Sequence, residues 1–428
     1  MEASEIFASI AIVVGLATVS QLVARLIKLP ALLLLLPAGF FAGAIISFLD
    51  PAAMFDDLFS PLVGITVALI LFHGGLELFD QPMVRTDHRV VRRLVWIGGP
   101  ITWAAAALAA YWLFDITWNI AILLGAILIV SGPTVVGPLL EFIQPQQRVR
   151  RILAWEGTLV DPVGALIAVI IFSGVQASDV GSVGKGVTAF LVSLLVGVVM
   201  AAIGVALIWG GLILARGSDV LGTQVLFGSA ILMAGLANAV ADDAGLLTAL
   251  LMGMATPKVA HKGLPEIRPF FDTLVNISIG VLFVAISASV TPSSLRGLVL
   301  PAVALVAILV LVVRPAMVWL LTMRSSRLST RERIFIGWMA PRGIVAAATA
   351  ASFSAALIKQ QIPTGDKLLP ITFLAVAGTV TFYSLTAAPV ARLLKVREAD
   401  HPEEADPPAD PPEATEAETI GQGTRQAD

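Results

Sequence analysis

From Val187 to Leu214 no side chain of this protein can ionise. A run of that kind fixes the solvent before it fixes the fold, because a helix needs roughly 20 mostly apolar residues to cross the hydrocarbon of a bilayer. About thirteen stretches qualify, at approximately 6–27, 31–48, 60–79, 94–114, 118–141, 152–173, 187–214, 220–240, 244–257, 270–290, 297–323, 332–355 and 369–394. The weakest are 31–48, with Pro37 inside it, and the short 244–257. Composition agrees. Only 13% of the residues are charged, against about 25% in a soluble domain. A chain of 428 residues with so little charge cannot cover itself with a polar surface in water. The fold expected is an all-α polytopic membrane protein with the lipid bilayer as its surroundings. A net charge of −3 suggests no nucleic-acid partner, and the absence of cysteine excludes disulfides and thiolate metal sites. No cofactor is expected. The first apolar segment follows acidic MEASE rather than a basic start, so it reads as a retained span and not a cleaved leader.

Basic residues alternate between loops. With the N-terminus outside, twenty lysines and arginines fall in the inward loops, from Arg25 and Lys28 to Arg392, Lys395 and Arg397, and four fall outward, at Lys185, Arg296, Lys359 and Lys367. Basic loops stay on the cytoplasmic side. The expected orientation is therefore an odd number of spans in the plasma membrane, N-terminus out and C-terminus in. Residues 397–428 are acidic and Pro-rich, a composition that buries too little surface to fold. They read as a disordered cytoplasmic tail with no regulatory domain after it.

Charges inside the spans cost roughly 2.5–3.5 kcal/mol each on insertion scales. The deepest are Glu77, Glu156, Asp161, Arg314 and Arg342. In WEGTLVDP, Pro162 disfavours helical geometry at Asp161 and frees the carbonyl of Thr158. A carboxylate beside a freed carbonyl is a seat for a hard, weakly held monovalent cation, with Asp161 as its ligand. The alternative is a structural kink. The preceding span is interrupted by Gly132, Pro133, Gly137 and Pro138, and Pro133 frees the carbonyl of Ile129. The twelfth is interrupted by Pro341, Arg342 and Gly343. Each broken span is the second from the end of a block of six, and the odd middle span inverts the second block. Matching breaks in two inverted six-helix repeats point to a midplane ion site with crossed broken helices. Arg342 is permanently charged, and Glu156 is its expected partner in a structural ion pair. That leaves Asp161 to exchange ions, with Ser131, Thr134 and Thr158 completing the shell. Glu77 is a possible accessory carboxylate or a snorkelling one. His73, four residues earlier, reads more readily as a packed polar residue than as a pH sensor. Arg314, before Pro315, is expected to snorkel inward.

With these residues in place, residues 6–395 resemble a bacterial cation:proton antiporter of the NhaP-like branch of the monovalent cation:proton antiporter superfamily. Glu156, Val160 and Asp161 stand at the spacing of its Glu, Asn and Asp; Pro341-Arg342-Gly343 matches its Leu-Arg-Gly; and Glu77 resembles its third-span glutamate. Val160 replaces the usual Asn, and Ser131-Gly132-Pro133 replaces Thr-Asp-Pro. The resemblance implies a homodimer. It also implies an exchanger domain over 1–396, with a core from about 94–173 and 297–394 and an interface from the rest. The activity it implies is exchange of Na⁺ or K⁺, with Li⁺ also admissible, for H⁺ by alternating access. One working carboxylate implies electroneutral exchange. The rival readings are a cation channel or a transporter of another solute. An intramembrane aspartyl protease would need a second deep aspartate, and a membrane scaffold would not need paired breaks. No enzyme activity is expected.

Overall fold

The computed structural model describes residues 3–398 except 28, 47, 50, 52–58, 80–84, 178–181, 216, 242–243, 261–263 and 324–327. Of the tail expected over 397–428, only 397 and 398 are among the described residues. Among those described there is no strand beyond one isolated bridge, Pro145 to Arg397.

The helices are α1 (Ala3–Leu26), α2 (Leu32–Ile45), α3 (Phe59–Phe79), α4 (Arg85–Arg93), α5 (Gly99–Leu113), α6 (Trp118–Ile127), α7 (Pro133–Ile143), α8 (Gln147–Ala177) and α9 (Ser182–Ala215). They continue as α10 (Asp219–Val240), α11 (Ala244–Val259), α12 (Leu264–Ala288), α13 (Val299–Ala307), α14 (Arg314–Thr322), α15 (Thr330–Trp338), α16 (Ile344–Lys359) and α17 (Leu368–Leu394). Two π-helical turns, Leu94–Gly98 and Ile308–Val313, join α4 to α5 and α13 to α14 without a break in the span. Among the described residues nine helices are long and apolar enough to cross a bilayer. Four shorter apolar helices, Leu32–Ile45, Trp118–Ile127, Ala244–Val259 and Ile344–Lys359, fall within the other expected spans.

The two expected breaks are present. After α6 the chain unwinds over 128–132, where Gly132 is extended and Pro133 opens α7. Proline suits that position, because a first-turn amide has no intrahelical acceptor. After α15 the chain unwinds over 339–343, with Met339 and Gly343 extended. Pro162 behaves differently from expectation. It interrupts no helix: α8 runs from Gln147 to Ala177 through it. A proline removes one amide from the ladder, and packed neighbours in a membrane bundle tolerate that loss.

Helix packing in lipid relies on close backbone approach more than on the hydrophobic effect, so small residues mark the contacts. Gly39 and Gly43 of α2 lie against the backbone of α12 at Val284 and Ala288. A Cβ on Gly75 of α3 would stand 2.6 Å from the carbonyl of Leu250 in α11, and Gly253 of α11 faces the carbonyl of Phe72 in return. We expect Gly253→Val and Gly43→Val each to cost about 1–3 kcal/mol or more by overpacking. Both should lower the melting midpoint of the detergent-solubilised protein in fluorescence-detected size exclusion. Gly64→Ala, which meets nothing within 4 Å, should leave the midpoint unchanged.

Candidate ion-binding site

The site is built where the two unwound stretches meet α8. Gly164, one turn beyond Asp161 on the same face of α8, sits so close to the first stretch that a Cβ there would lie 2.6 Å from Val130 Cγ2. That contact directs the Asp161 face of α8 at the break. Asp161 is completely buried, and neither carboxylate oxygen has a hydrogen-bond partner among the described residues. Thr158 is buried one turn earlier and donates its hydroxyl to the carbonyl of Ala154 at 2.9 Å, so only its lone pairs face outward. Ser131 is buried in the unwound stretch. The Thr134 side chain lies outside the described residues. Val160, beside Asp161, is buried and offers no polar atom.

The expected pairing of Glu156 with Arg342 is not the one formed. Glu156 instead takes both ends of the Arg314 guanidinium, Nη1 on Oε1 and Nη2 on Oε2 at 2.8 Å, and Arg314 also donates to the carbonyl of Ile336 at 3.2 Å. Both side chains are buried, at 4% and 6% exposure. Arg314 therefore does not snorkel to the membrane surface. The physical reason is that a bidentate fork can neutralise a buried carboxylate, and α14 starts at Arg314 directly after the π turn.

Arg342 has another task. Its Nη1 donates at 3.1 Å to the carbonyl of Ile129, the group that Pro133 leaves without an amide. Its own backbone amide donates to Thr379 Oγ1 of α17 at 3.2 Å. Unwound backbone in a membrane needs such partners. One broken helix thus satisfies the other, and a cation sits at the carbonyl end of α6, where the helix dipole favours it. Tyr383 of α17 is fully buried within electrostatic reach of both guanidinium groups.

Glu77 stands elsewhere. It lines a cavity with His73, Glu141, Asp272 and Asn276, and Asp161 is not among the lining residues. Sequence reading passed over Glu141, Asp272 and Asn276. Glu141 lies near the end of α7, where polar residues are ordinary, and nothing local in the sequence joins Asp272 to His73.

A family model for the transmembrane sodium/hydrogen exchanger matches residues 9–393. The chain belongs to that family. It is 27% identical over 344 residues to the K(+)/H(+) antiporter NhaP2 of Shewanella sp. (strain ANA-3), covering 77% of this chain and 58% of the relative. It is 26% identical over 393 residues to the K(+)/H(+) antiporter NhaP of Alkalimonas amylolytica, covering 88% and 65%. The match thus spans under two thirds of the length of these relatives. The fold is shared with the sodium proton antiporter MjNhaP1 from Methanocaldococcus jannaschii, at a TM-score of 0.76 and 19% identity, covering 92% of this chain and 99% of that one.

Removing one partner of a buried ion pair costs more than replacing both. Arg314→Ala or Glu156→Ala should destabilise the protein by about 3–5 kcal/mol. The double replacement Glu156→Leu/Arg314→Leu should recover much of that loss. Melting curves of the four proteins in one detergent check the cycle.

Proposed function

We propose that the protein is a secondary antiporter that exchanges Na⁺ or K⁺ for H⁺ at Asp161. The observation that carries this reading is a fully buried carboxylate with no hydrogen-bond partner on either oxygen among the described residues, on a helix packed against the first unwound stretch, in a chain of a family of exchangers. An isolated ionised carboxylate is costly to bury, so the site rests only when a proton or a cation occupies it. The two occupants exclude each other, and that exclusion couples their movements.

The charge count follows from the side chains. Glu156 and Arg314 cancel, and Arg342 remains positive. Asp161 neutralised by a proton or paired with a monovalent cation leaves the same net charge. The two loaded forms then cross the membrane alike, and exchange is electroneutral. Ser131, Thr158 and freed backbone oxygens complete the shell for the cation. With Val160 and Gly132 in place, Asp161 supplies its only carboxylate, which admits both Na⁺ and K⁺. The chain sits in the plasma membrane with its basic loops in the cytoplasm. It works as a homodimer whose core, about 94–173 and 297–394, moves against an interface formed by the other spans. The matching breaks at 128–132 and 339–343 support crossing at the midplane.

Liposomes with an acid interior and a trapped pH dye test this directly. Added Na⁺ or K⁺ should alkalinise the lumen of vesicles holding the wild type. Asp161→Asn should abolish the response, at least a hundredfold by rate, while the protein still elutes as a folded species. Valinomycin-clamped voltage should leave the Na⁺-driven rate unchanged. An Asp161→Asn protein that exchanges at the wild-type rate contradicts the reading.

A further inference from the structure

The residues that follow the last span are built into the end of the first broken helix. α17 stops at Leu394, and Lys395 takes the left-handed conformation, at φ 52°. The amides of Lys395 and Val396 turn back onto the carbonyls of Arg392 and Ala391, the paired bonds of a Schellman cap. α7 stops in a similar turn: its cap, Gln144, is left-handed at φ 51°. Neither residue is glycine, so each turn carries a steric cost that bonds elsewhere must offset. The two turns send their chains past each other in antiparallel directions. There the Gln146 amide donates to the Val396 carbonyl at 2.8 Å, and the Glu398 amide donates to the Gln144 carbonyl at 3.0 Å. Arg397 Nε donates to the Ile143 carbonyl at 3.2 Å. Val396 is buried.

These bonds fall on a helix that needs them. α7 has eleven residues, short of the length at which a helix holds by itself. Pro138 takes one amide from its ladder. The last carbonyls of any helix lack an intrahelical partner, and here residues 397 and 398 satisfy those of Ile143 and Gln144. A guanidinium at that end also meets the negative pole of the helix dipole. The opposite end of α7 opens at Pro133, beside buried Ser131 and close to Ile129, whose carbonyl holds Arg342. Only residues 144–146 separate α7 from α8, so the same bridge fixes the start of the helix that carries Asp161. α17 holds the second break as well, because Thr379 accepts from the Arg342 amide. One span thus grips both broken helices, one from its middle and the other from just beyond its end.

We propose that residues 396–398 are the C-terminal cap of the first broken helix, and that Arg397 is a positioning residue for exchange. It does not touch the ion. It holds the end of α7 far from the break, so that the stretch at 128–132 keeps its place against α8 through the transport cycle. The role in transport rests on the exchange reading; the cap does not.

Hydrogen–deuterium exchange of the full chain in nanodiscs, read by mass spectrometry, tests the cap, and the acid-interior liposomes test the role. Arg397→Met keeps the length of the side chain and removes its charge and donors. Glu398→Pro removes the amide donor and suits the paired residue before it. In either variant the amides of 134–147 should exchange about fivefold to tenfold faster, the factor that a lost capping bond implies. Those of α9 should keep the wild-type rate. The maximal rate of cation-driven alkalinisation should fall about fivefold to tenfold. The half-saturating Na⁺ or K⁺ concentration should stay within about twofold, because Asp161 and its neighbours are untouched. Arg397→Lys, still a cation at the helix end, should recover about half or more of the lost rate. Should Glu398→Pro fail to fold, the two Arg397 variants decide both questions. Wild-type protection over 134–147 in Arg397→Met overturns the cap. Faster hydrogen exchange with a wild-type transport rate overturns the positioning role. So does a loss of protection spread evenly over all spans, which marks general destabilisation. If Asp161→Asn exchanges cations as fast as the wild type, the exchange reading fails, and the cap is judged by hydrogen exchange alone.

Discussion

The hydrogen bond from Arg342 to the carbonyl of Ile129 joins the two broken helices, and the buried polar groups of the candidate site are arranged around it. Hydrocarbon supplies no partner for unwound backbone, so each break must be satisfied from within the protein. Pro133 creates the free carbonyl, and the guanidinium that follows Pro341 takes it. The bond also places a permanent cation in the buried crossing, at the carbonyl end of α6. A break in one half of the chain therefore has its partner in the other half, and neither stretch would be stable alone.

Given that positive charge, the acids divide their tasks. Glu156 is committed to Arg314 by a bidentate pair and is unavailable to an ion. Asp161, about one and a half turns on, has no hydrogen-bond partner on either oxygen among the described residues. This separation leaves one carboxylate to hold the architecture and the other without a hydrogen-bond partner among the described residues.

The spans and both breaks were legible in the sequence because their signals are local. Long apolar runs set the helices, and Ser131-Gly132-Pro133 and Pro341-Arg342-Gly343 set the interruptions. The burial of Asp161 was legible because the acid lies deep in such a run. The partner of Glu156 was not. Arg314 and Arg342 both lie inside spans, and choosing between them needs the depth and rotation of α14, which the π turn at Ile308–Val313 shifts. Pro162 was read as a break because proline is a breaker in isolation; packing on both sides of α8 carries the helix through. The cavity around Glu77 was illegible for a third reason. His73, Glu141 and Asp272 come from three helices far apart in the chain, and each alone is an ordinary polar residue.

The central claim is that a proton and a cation compete for one carboxylate. Titrating the detergent-solubilised protein with Na⁺ or K⁺ by calorimetry, in buffers of different ionisation enthalpy, measures the protons released per cation bound. Near the pH at which Asp161 is half protonated, the account predicts release approaching half a proton per cation at that site, rising toward one at lower pH, and lost in Asp161→Asn. Saturable binding that releases no proton at any pH from 5.5 to 9, or release that is unchanged in Asp161→Asn, would contradict it.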